Sequence, residues 1–431
     1  MAIRQTTRCC CSAVALIAVV ASAARAQTPQ TPPPVPAARA VKQTRSADDK
    51  TPLALFPVVP IWSLPLNGVL TAPPGFRGSF GVFALEGERI AAYDLAKGSR
   101  LWLTTIATQV EPAIGENEVF IADDAGISAL SLSSGEVVWH QPFDGELAVA
   151  PVVDRDRLIL ATSDGDVIAL RGSDGGEIWR RRLPRAATSR PALTATRAFV
   201  ATADKQVIAL NTDDGSIVWT QSLNGIGHDI LAADDRIFLG SQDRSFYSLN
   251  ARTGVVEWRW PTGADAIGLP ASDDRNVYFV SLDNLVRGMS RSSGVQQWKR
   301  ALDVRPISSP LKWSETLVVA GTGPLLQAFS IREGKPLGRY TVENPLSAPP
   351  YLFVDSARIF PVLVTVSSDI LGRATVTGAT RNIEPDNPPL AALPNIVSVP
   401  TIPGPPADLG PVSPLPNLTR VDRAAAPKRI D

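Results

Sequence analysis

Short apolar runs recur along residues 61–382 and are separated by polar turns rich in glycine and aspartate. Runs of this length, bounded by turn residues, predict β-strands. In residues 149–183 the turns Ser163-Asp164-Gly165 and Ser173-Asp174-Gly175 join such runs, and no helical periodicity separates them. The pattern predicts four antiparallel strands in about 40 residues. The predicted strands lie in residues 150–153, 158–161, 167–170 and 177–179.

Tryptophan marks a repeat of the same length. Seven tryptophans are separated by 40, 37, 40, 40, 39 and 40 residues: Trp62, Trp102, Trp139, Trp179, Trp219, Trp258 and Trp298. One further step of 40 reaches Gly338, where the register continues without the tryptophan. A fixed period of this size indicates a solenoid, a propeller or an array of similar units.

Two more columns are fixed within each repeat. A glycine stands four residues before each repeat end from position 102 onward, and these are Gly98, Gly135, Gly175, Gly215, Gly254, Gly294 and Gly334. A small residue stands six positions before each glycine: Ala92, Ala129, Ala169, Ala209, Ser248, Gly288 and Ala328. The glycine column predicts a turn position with positive φ. The small residue leaves room for a large neighbour, which the tryptophan can supply.

The ends of the array predict closure into a ring. Trp62 has no repeat before it, and the strand-like runs 351–354, 358–364 and 370–377 have no tryptophan strand after them. The first strand can therefore complete the last sheet, whereas a solenoid would need polar caps. The predicted fold is an all-β, eight-bladed β-propeller of four-stranded antiparallel blades, closed by an N-terminal strand that joins the C-terminal blade.

The repeats resemble those of the pyrroloquinoline-quinone-like β-propeller family, whose pattern is A-x-D-x-x-T-G-x-x-x-W. The aspartate survives only as Asp94 and the threonine only as Thr253. The resemblance implies that the tryptophans pack between adjacent blades. It covers two groups: quinoprotein alcohol dehydrogenases, which hold quinone and Ca²⁺ on the axis, and outer-membrane protein assembly factors of the BamB type, which bind a partner. Length and repeat number are closer to the BamB type.

The first residues predict an export signal. Arg4 and Arg8 precede the apolar run 13–23, and Ala24-Arg25-Ala26 is a cleavage pattern. The run is shorter than the roughly 20 residues of a membrane span. All three cysteines, Cys9 to Cys11, precede the run, so the mature chain should lack cysteine and a lipid anchor, unless the true start site differs. The predicted segments are a signal peptide (1–26), a Pro-rich linker (27–60), the propeller (61–382) and a Pro-rich disordered tail (383–431).

Charge and composition limit the chemistry. Residues 1–26 contain three basic residues, Arg4, Arg8 and Arg25, and no acidic residue. Without them the chain has 39 basic and 42 acidic residues, a net charge of about −3. Such a chain has no general attraction for nucleic acid. His140 and His228 are the only histidines, so metal and histidine-based sites are not expected. Acid pairs such as Asp213-Asp214 recur at turns. The basic cluster 180–185 is either a solvated edge or a docking patch.

These observations predict a protein that is not an enzyme and has no cofactor, metal or catalytic residue. We expect a monomeric periplasmic scaffold, associated with the outer membrane, that binds a cell-envelope protein such as the outer-membrane barrel assembly machinery. The partner-binding residues are not predicted. Two alternatives remain: a propeller that binds or senses another envelope partner or ligand, and a quinone-dependent dehydrogenase.

Overall fold

The computed structural model describes residues 54–143 and 145–382. In this part of the chain, 32 strands form eight four-stranded antiparallel sheets without any helix. The predicted eight-bladed propeller is therefore confirmed. None of the described segments is a helix long and apolar enough to cross a membrane. The predicted signal peptide, its three cysteines and the Pro-rich tail lie outside the described residues.

Blades are numbered in chain order, and seven of them are continuous in sequence. Blade 1 contains β2 (Gly75–Arg77), β3 (Phe80–Leu85), β4 (Arg89–Asp94) and β5 (Ser99–Thr105). Blade 2 contains β6 (Ala113–Ile114), β7 (Glu118–Asp123), β8 (Gly126–Ser131) and β9 (Val137–Gln141). Blade 3 contains β10 (Val152–Asp154), β11 (Arg157–Ala161), β12 (Asp166–Arg171) and β13 (Glu177–Arg182). Blade 4 contains β14 (Ala192–Leu193), β15 (Arg197–Ala201), β16 (Gln206–Asn211) and β17 (Ile217–Ser222).

The later blades repeat this order. Blade 5 contains β18 (Gly227–Ala233), β19 (Arg236–Ser241), β20 (Ser245–Asn250) and β21 (Val256–Pro261). Blade 6 contains β22 (Ala266–Ser272), β23 (Asn276–Ser281), β24 (Leu285–Ser290) and β25 (Gln296–Ala301). Blade 7 contains β26 (Leu311–Trp313), β27 (Thr316–Ala320), β28 (Leu325–Ser330) and β29 (Pro336–Thr341). Blade 8 contains β30 (Tyr351–Phe353), β31 (Val362–Ser368), β32 (Arg373–Arg381) and β1 (Val58–Val69).

The first strand of each blade lies nearest the ring axis. First strands of neighbouring blades contact each other, as β2 does with β6 and β18 with β22. The second and third strands form the core. An apolar residue stands two positions before the small residue of each repeat, and it is fully buried, as at Ile90 and Phe246. Turns between second and third strands share one face of the ring with the loops that lead into the next blade, because strand direction alternates within a blade. We call this the hairpin face.

Blade 8 closes the ring as predicted. Strand β1 pairs with β32 in antiparallel register, and Trp62 stands opposite Gly378. The predicted strand bounds in this blade were wrong. The run 358–364 begins with a turn in which Arg358 pairs with Asp355 at 3.2 Å, so β31 starts at Val362. The run 370–377 begins with the turn between β31 and β32, where Ile370 is exposed.

Candidate functional site

Six tryptophans, one in each of blades 1 to 6, join their blade to the next one. Each indole Nε1 donates a hydrogen bond to a backbone carbonyl of the following blade, at 2.7–3.1 Å. The donors are Trp102, Trp139, Trp179, Trp219, Trp258 and Trp298, and their acceptors are Leu132, Gly172, Thr212, Ala251, Arg291 and Ile331. The indole ring is large and becomes buried, and its N–H group keeps a hydrogen-bond partner. Both properties favour one orientation of the two blades.

The glycine column belongs to the same contact. Each glycine has positive φ, and a β carbon there would approach the tryptophan of the preceding blade to 2.5–2.7 Å. These glycines are Gly135, Gly175, Gly215, Gly254, Gly294 and Gly334. The small residue of a repeat lies opposite the tryptophan of its own blade on the neighbouring strand, as Ala169 lies opposite Trp179. Sequence spacing indicated the turn but not that this turn receives the neighbouring indole.

The two ends of the repeat differ from the rest. Trp62 is half-buried and packs against the apolar cluster shared by blades 8 and 1. Gly98 keeps the positive φ of its column, at 65°. At Gly338, which lacks the tryptophan, Phe56 occupies the equivalent neighbourhood: a β carbon on Gly338 would lie 3.2 Å from Phe56 Cδ1.

Phe56 seals the junction between blades 7 and 8. It is 3% exposed and packs with Leu55 against core residues of both blades, including Val318 and Leu363. The amide of Leu55 donates to Thr316 Oγ1 at 3.0 Å, and the Arg381 guanidinium donates to the carbonyl of Ala54. Sequence reasoning missed this segment because it precedes the repeats. The apolar run 53–56 was the available signal.

A cavity of about 410 Å³ lies at the axial end of the hairpin face. Its walls come from the beginnings of five consecutive blades. Segments of five blades can meet only at the ring axis. The wall residues include Pro73, Glu111, Val149, Arg190 and Asp229. Arg190 donates to Glu111 Oε1 at 2.7 Å, although the two residues belong to blades 2 and 4. Burial raises the pKa of Glu111 above its usual value, although the Arg190 guanidinium acts to lower it.

The polar lining of this cavity does not suit the quinone that a resemblance to the quinoprotein dehydrogenases would imply. Pyrroloquinoline quinone is a tricarboxylate, and it would meet the carboxyl groups of Glu111 and Asp229 against the single guanidinium of Arg190. Among the described residues, no three His, Cys, Asp or Glu side chains are grouped to hold a metal ion. Ser189 also lines the cavity, and its buried Oγ has no hydrogen-bond partner within the described residues.

Neither histidine lines this cavity, although His228 directly precedes Asp229 in β18. His140 Nδ1 lies 3.0 Å from Ser128 Oγ on the neighbouring strand. The Nε2 of His228 is buried and makes no hydrogen bond to any described residue. The acid pairs lie at turns: Asp123 Oδ1 accepts from the amide of Ala125, and Asp214 Oδ1 from that of Ser216, each at 2.8 Å. These carboxylates organise turns. Asp234, Asp235 and Asp274 also line one cleft between blades 5 and 6, together with Arg236, Arg275 and Arg291.

The basic cluster is engaged within the fold. Arg180 pairs with Glu177 at 2.9 Å, and Arg182 with Asp166 at 3.4 Å. Arg181 Nε donates to the carbonyl of Gly215 in blade 4 at 2.7 Å. These contacts favour the solvated-edge interpretation over a free docking patch.

The fold and its inter-blade contacts define a tryptophan-docked propeller of the pyrroloquinoline-quinone-like class. A family model described as "Outer membrane protein assembly factor BamB" matches residues 86–182, 165–265 and 218–357, which together make up more than half of the chain. The chain belongs to this family. Membership is consistent with a protein-binding scaffold.

Individual relatives are distant. Outer membrane protein assembly factor BamB of Yersinia pestis is 23% identical over 140 residues, which is 31% of this chain and 36% of that protein. The match thus spans about a third of the relative's length. The crystal structure of BamB from Moraxella catarrhalis has a TM-score of 0.60 at 16% identity, covering 75% of this chain and 100% of that one.

An enzyme shares the same fold. Quinohemoprotein alcohol dehydrogenase from Comamonas testosteroni also has a TM-score of 0.60, at 12% identity, covering 75% of this chain and 76% of that one. At these identities the structural likeness shows the fold alone. The choice between binding and catalysis therefore depends on the side chains and on family membership.

Proposed function

We propose that this protein is a non-enzymatic, exported scaffold that assists the assembly of outer-membrane β-barrel proteins through protein–protein contact. Membership of the family described as "Outer membrane protein assembly factor BamB" is the observation that carries the proposal. The axial lining supports it, since Glu111 and Asp229 oppose an anionic quinone. The site of action is the periplasm, where the chain works as a monomer beside the outer membrane.

The test is an affinity capture from the source organism. The full chain is expressed with its own N-terminus and a C-terminal tag, and complexes are isolated from detergent-solubilised envelopes. We expect recovery of the outer-membrane barrel insertase. A tagged periplasmic protein of similar charge is the control for carry-over. Absence of the insertase despite folded bait would overturn the proposal.

A second candidate is a propeller that binds a small envelope ligand. The observation in its favour is the buried Ser189 Oγ, which faces the axial cavity without a partner among the described residues. Two carboxyl groups and one guanidinium in this cavity favour an amine-bearing ligand. Spermidine is a suitable probe, and binding that is lost in Glu111→Gln would support this candidate.

A further inference from the structure

The turn between β31 and β32 in blade 8 presents two aliphatic side chains to solvent. Ile370 is 101% exposed and Leu371 is 65% exposed. Ile370 has the highest exposure of any large apolar residue in the described ranges. Bulky aliphatic groups at a turn tip contribute nothing to the core of the blade.

This turn is rigidly built. Asp369 Oδ1 accepts hydrogen bonds from the amides of Leu371 and Arg373, each at 2.9 Å. Its Oδ2 accepts from Arg373 Nε at 2.9 Å, and Gly372 adopts a φ of 79° that favours glycine. The conformation that displays Ile370 therefore exists before any partner binds, which lowers the entropic cost of docking.

The other seven blades join their second and third strands by turns of two to four residues that carry different side chains. Their exposed turn positions contain no large apolar residue, and examples are Glu88, Asp124, Asp164, Lys205, Arg244 and Asn284. The fold itself therefore does not require aliphatic residues at this position.

The charge of the hairpin face restricts the partner. Seven of the eight turns between second and third strands carry a carboxylate. Besides Asp369, these are Glu88, Asp124, Asp164, Asp204, Asp243 and Asp283. The turns themselves contain only Lys205 and Arg244 as cations. Such a face repels anionic lipid headgroups. Two aliphatic side chains whose basic neighbour, Arg373, is paired with Asp369 anchor poorly to a membrane.

We propose that Ile370 and Leu371 insert into an apolar pocket, rimmed by basic residues, on a protein partner of the propeller. Apolar anchors in a desolvated pocket supply most of the affinity of many interfaces, and the acidic face supplies orientation. Naming the partner as the barrel insertase rests on the proposed function, whereas the docking element itself rests on this turn.

The test compares three forms of the full chain against the purified insertase of the source organism. Ile370→Asp/Leu371→Asp removes the aliphatic groups and adds two negative charges. Gln242→Asp/Asn284→Asp is the matched control, because it adds the same charge at exposed turns of the same face. Toward a basic rim, added negative charge alone would strengthen binding. We expect at least about tenfold weaker binding for the first variant, about 1.4 kcal/mol, and no loss for the control.

Equal affinity of all three forms would overturn this inference and leave the proposed function standing. No binding by any form would overturn the proposed function. In that case the inference is tested independently by photo-cross-linking in living cells. A photoreactive residue is placed at position 370, and the control carries it at position 322, in the turn of blade 7. A protein adduct specific to position 370 is expected, and its absence would overturn the inference.

Two further results would contradict the partner's chemistry. Flotation of the wild-type chain with phosphatidylethanolamine–phosphatidylglycerol vesicles, lost in Ile370→Asp/Leu371→Asp, would assign the turn to a membrane. Insertase binding that does not weaken as NaCl is raised would exclude a basic rim.

Discussion

The indole of Trp179 lies over the α carbon of Gly215 in the next blade. A β carbon at position 215 would come within 2.5 Å of Trp179 Cε3, and the indole Nε1 donates to the carbonyl of Thr212 at 2.9 Å. One turn thus receives both the ring face and its polar edge. The tryptophan and glycine columns of the repeat are the two sides of one inter-blade contact.

Truncation of this indole should destabilise the ring. Trp179→Ala removes a side chain that is 7% exposed and leaves a cavity between blades 3 and 4, so we expect a loss of about 3–5 kcal/mol in unfolding free energy. Urea unfolding followed by circular dichroism measures it. Trp179→Phe keeps a ring but loses the hydrogen bond, and a smaller loss is expected. An unchanged midpoint for Trp179→Ala would contradict the docking role.

Substitution of the glycine opposite the indole should also destabilise the protein. Gly215→Ala meets both a positive φ of 66° and the clash with Trp179. Gly78→Ala is the matched control, because Gly78 has a φ of 54° and no atom within 4 Å of its added β carbon. We expect about 1 kcal/mol for the control and 1–3 kcal/mol more for Gly215→Ala. Equal melting temperatures would mean that only backbone strain selects glycine here.

Phe56, which packs between blades 7 and 8, should contribute as much to stability as a tryptophan of the repeat. Phe56→Ala empties the junction of blades 7 and 8, and we expect about 3–5 kcal/mol lower stability. Val59→Ala, at a side chain 37% exposed in the same segment, should change stability by about 0.5 kcal/mol or less. Thermal unfolding of both variants provides the comparison. A Phe56 variant as stable as the Val59 variant would show that β1 pairing alone closes the ring.

Alkaline stability should depend on Tyr247. Burial, together with a hydrogen bond of 2.5 Å to Asp243 Oδ2, raises the pKa of Tyr247 to about 12. The unfolded chain releases this proton near pH ~10. The contribution of Tyr247 is therefore complete below pH ~10 and is lost as pH rises through about 12.

Tyr247→Phe should flatten the fall in stability across this interval. Tyrosinate absorbance gives an independent check, because the wild-type minus variant difference should titrate near 12 and not near 10. A difference curve centred near 10 would contradict the raised pKa of Tyr247 and with it the effects of burial and of Asp243.

The repeated unit, the blade number and the closing strand can all be predicted from the sequence. Strands and turns depend on local alternation and on glycine, and seven copies of one pattern reinforce a single interpretation. The strand count predicts that the ring closes, because the strand of Trp62 has no sheet of its own and the last three strands need a fourth strand. The spacing also placed Gly215 and Trp179 in their strands and turns.

The groups that meet across blades are known only from the folded ring. Phe56 replaces an indole at Gly338, and Arg190 reaches Glu111 two blades away, and neither pair shares a local pattern. The sequence pattern predicts a strand at Ile370, because an apolar residue has the same identity in a buried strand and in an exposed turn. Burial depends on neighbours that are distant in sequence, and those neighbours are fixed only when the ring closes.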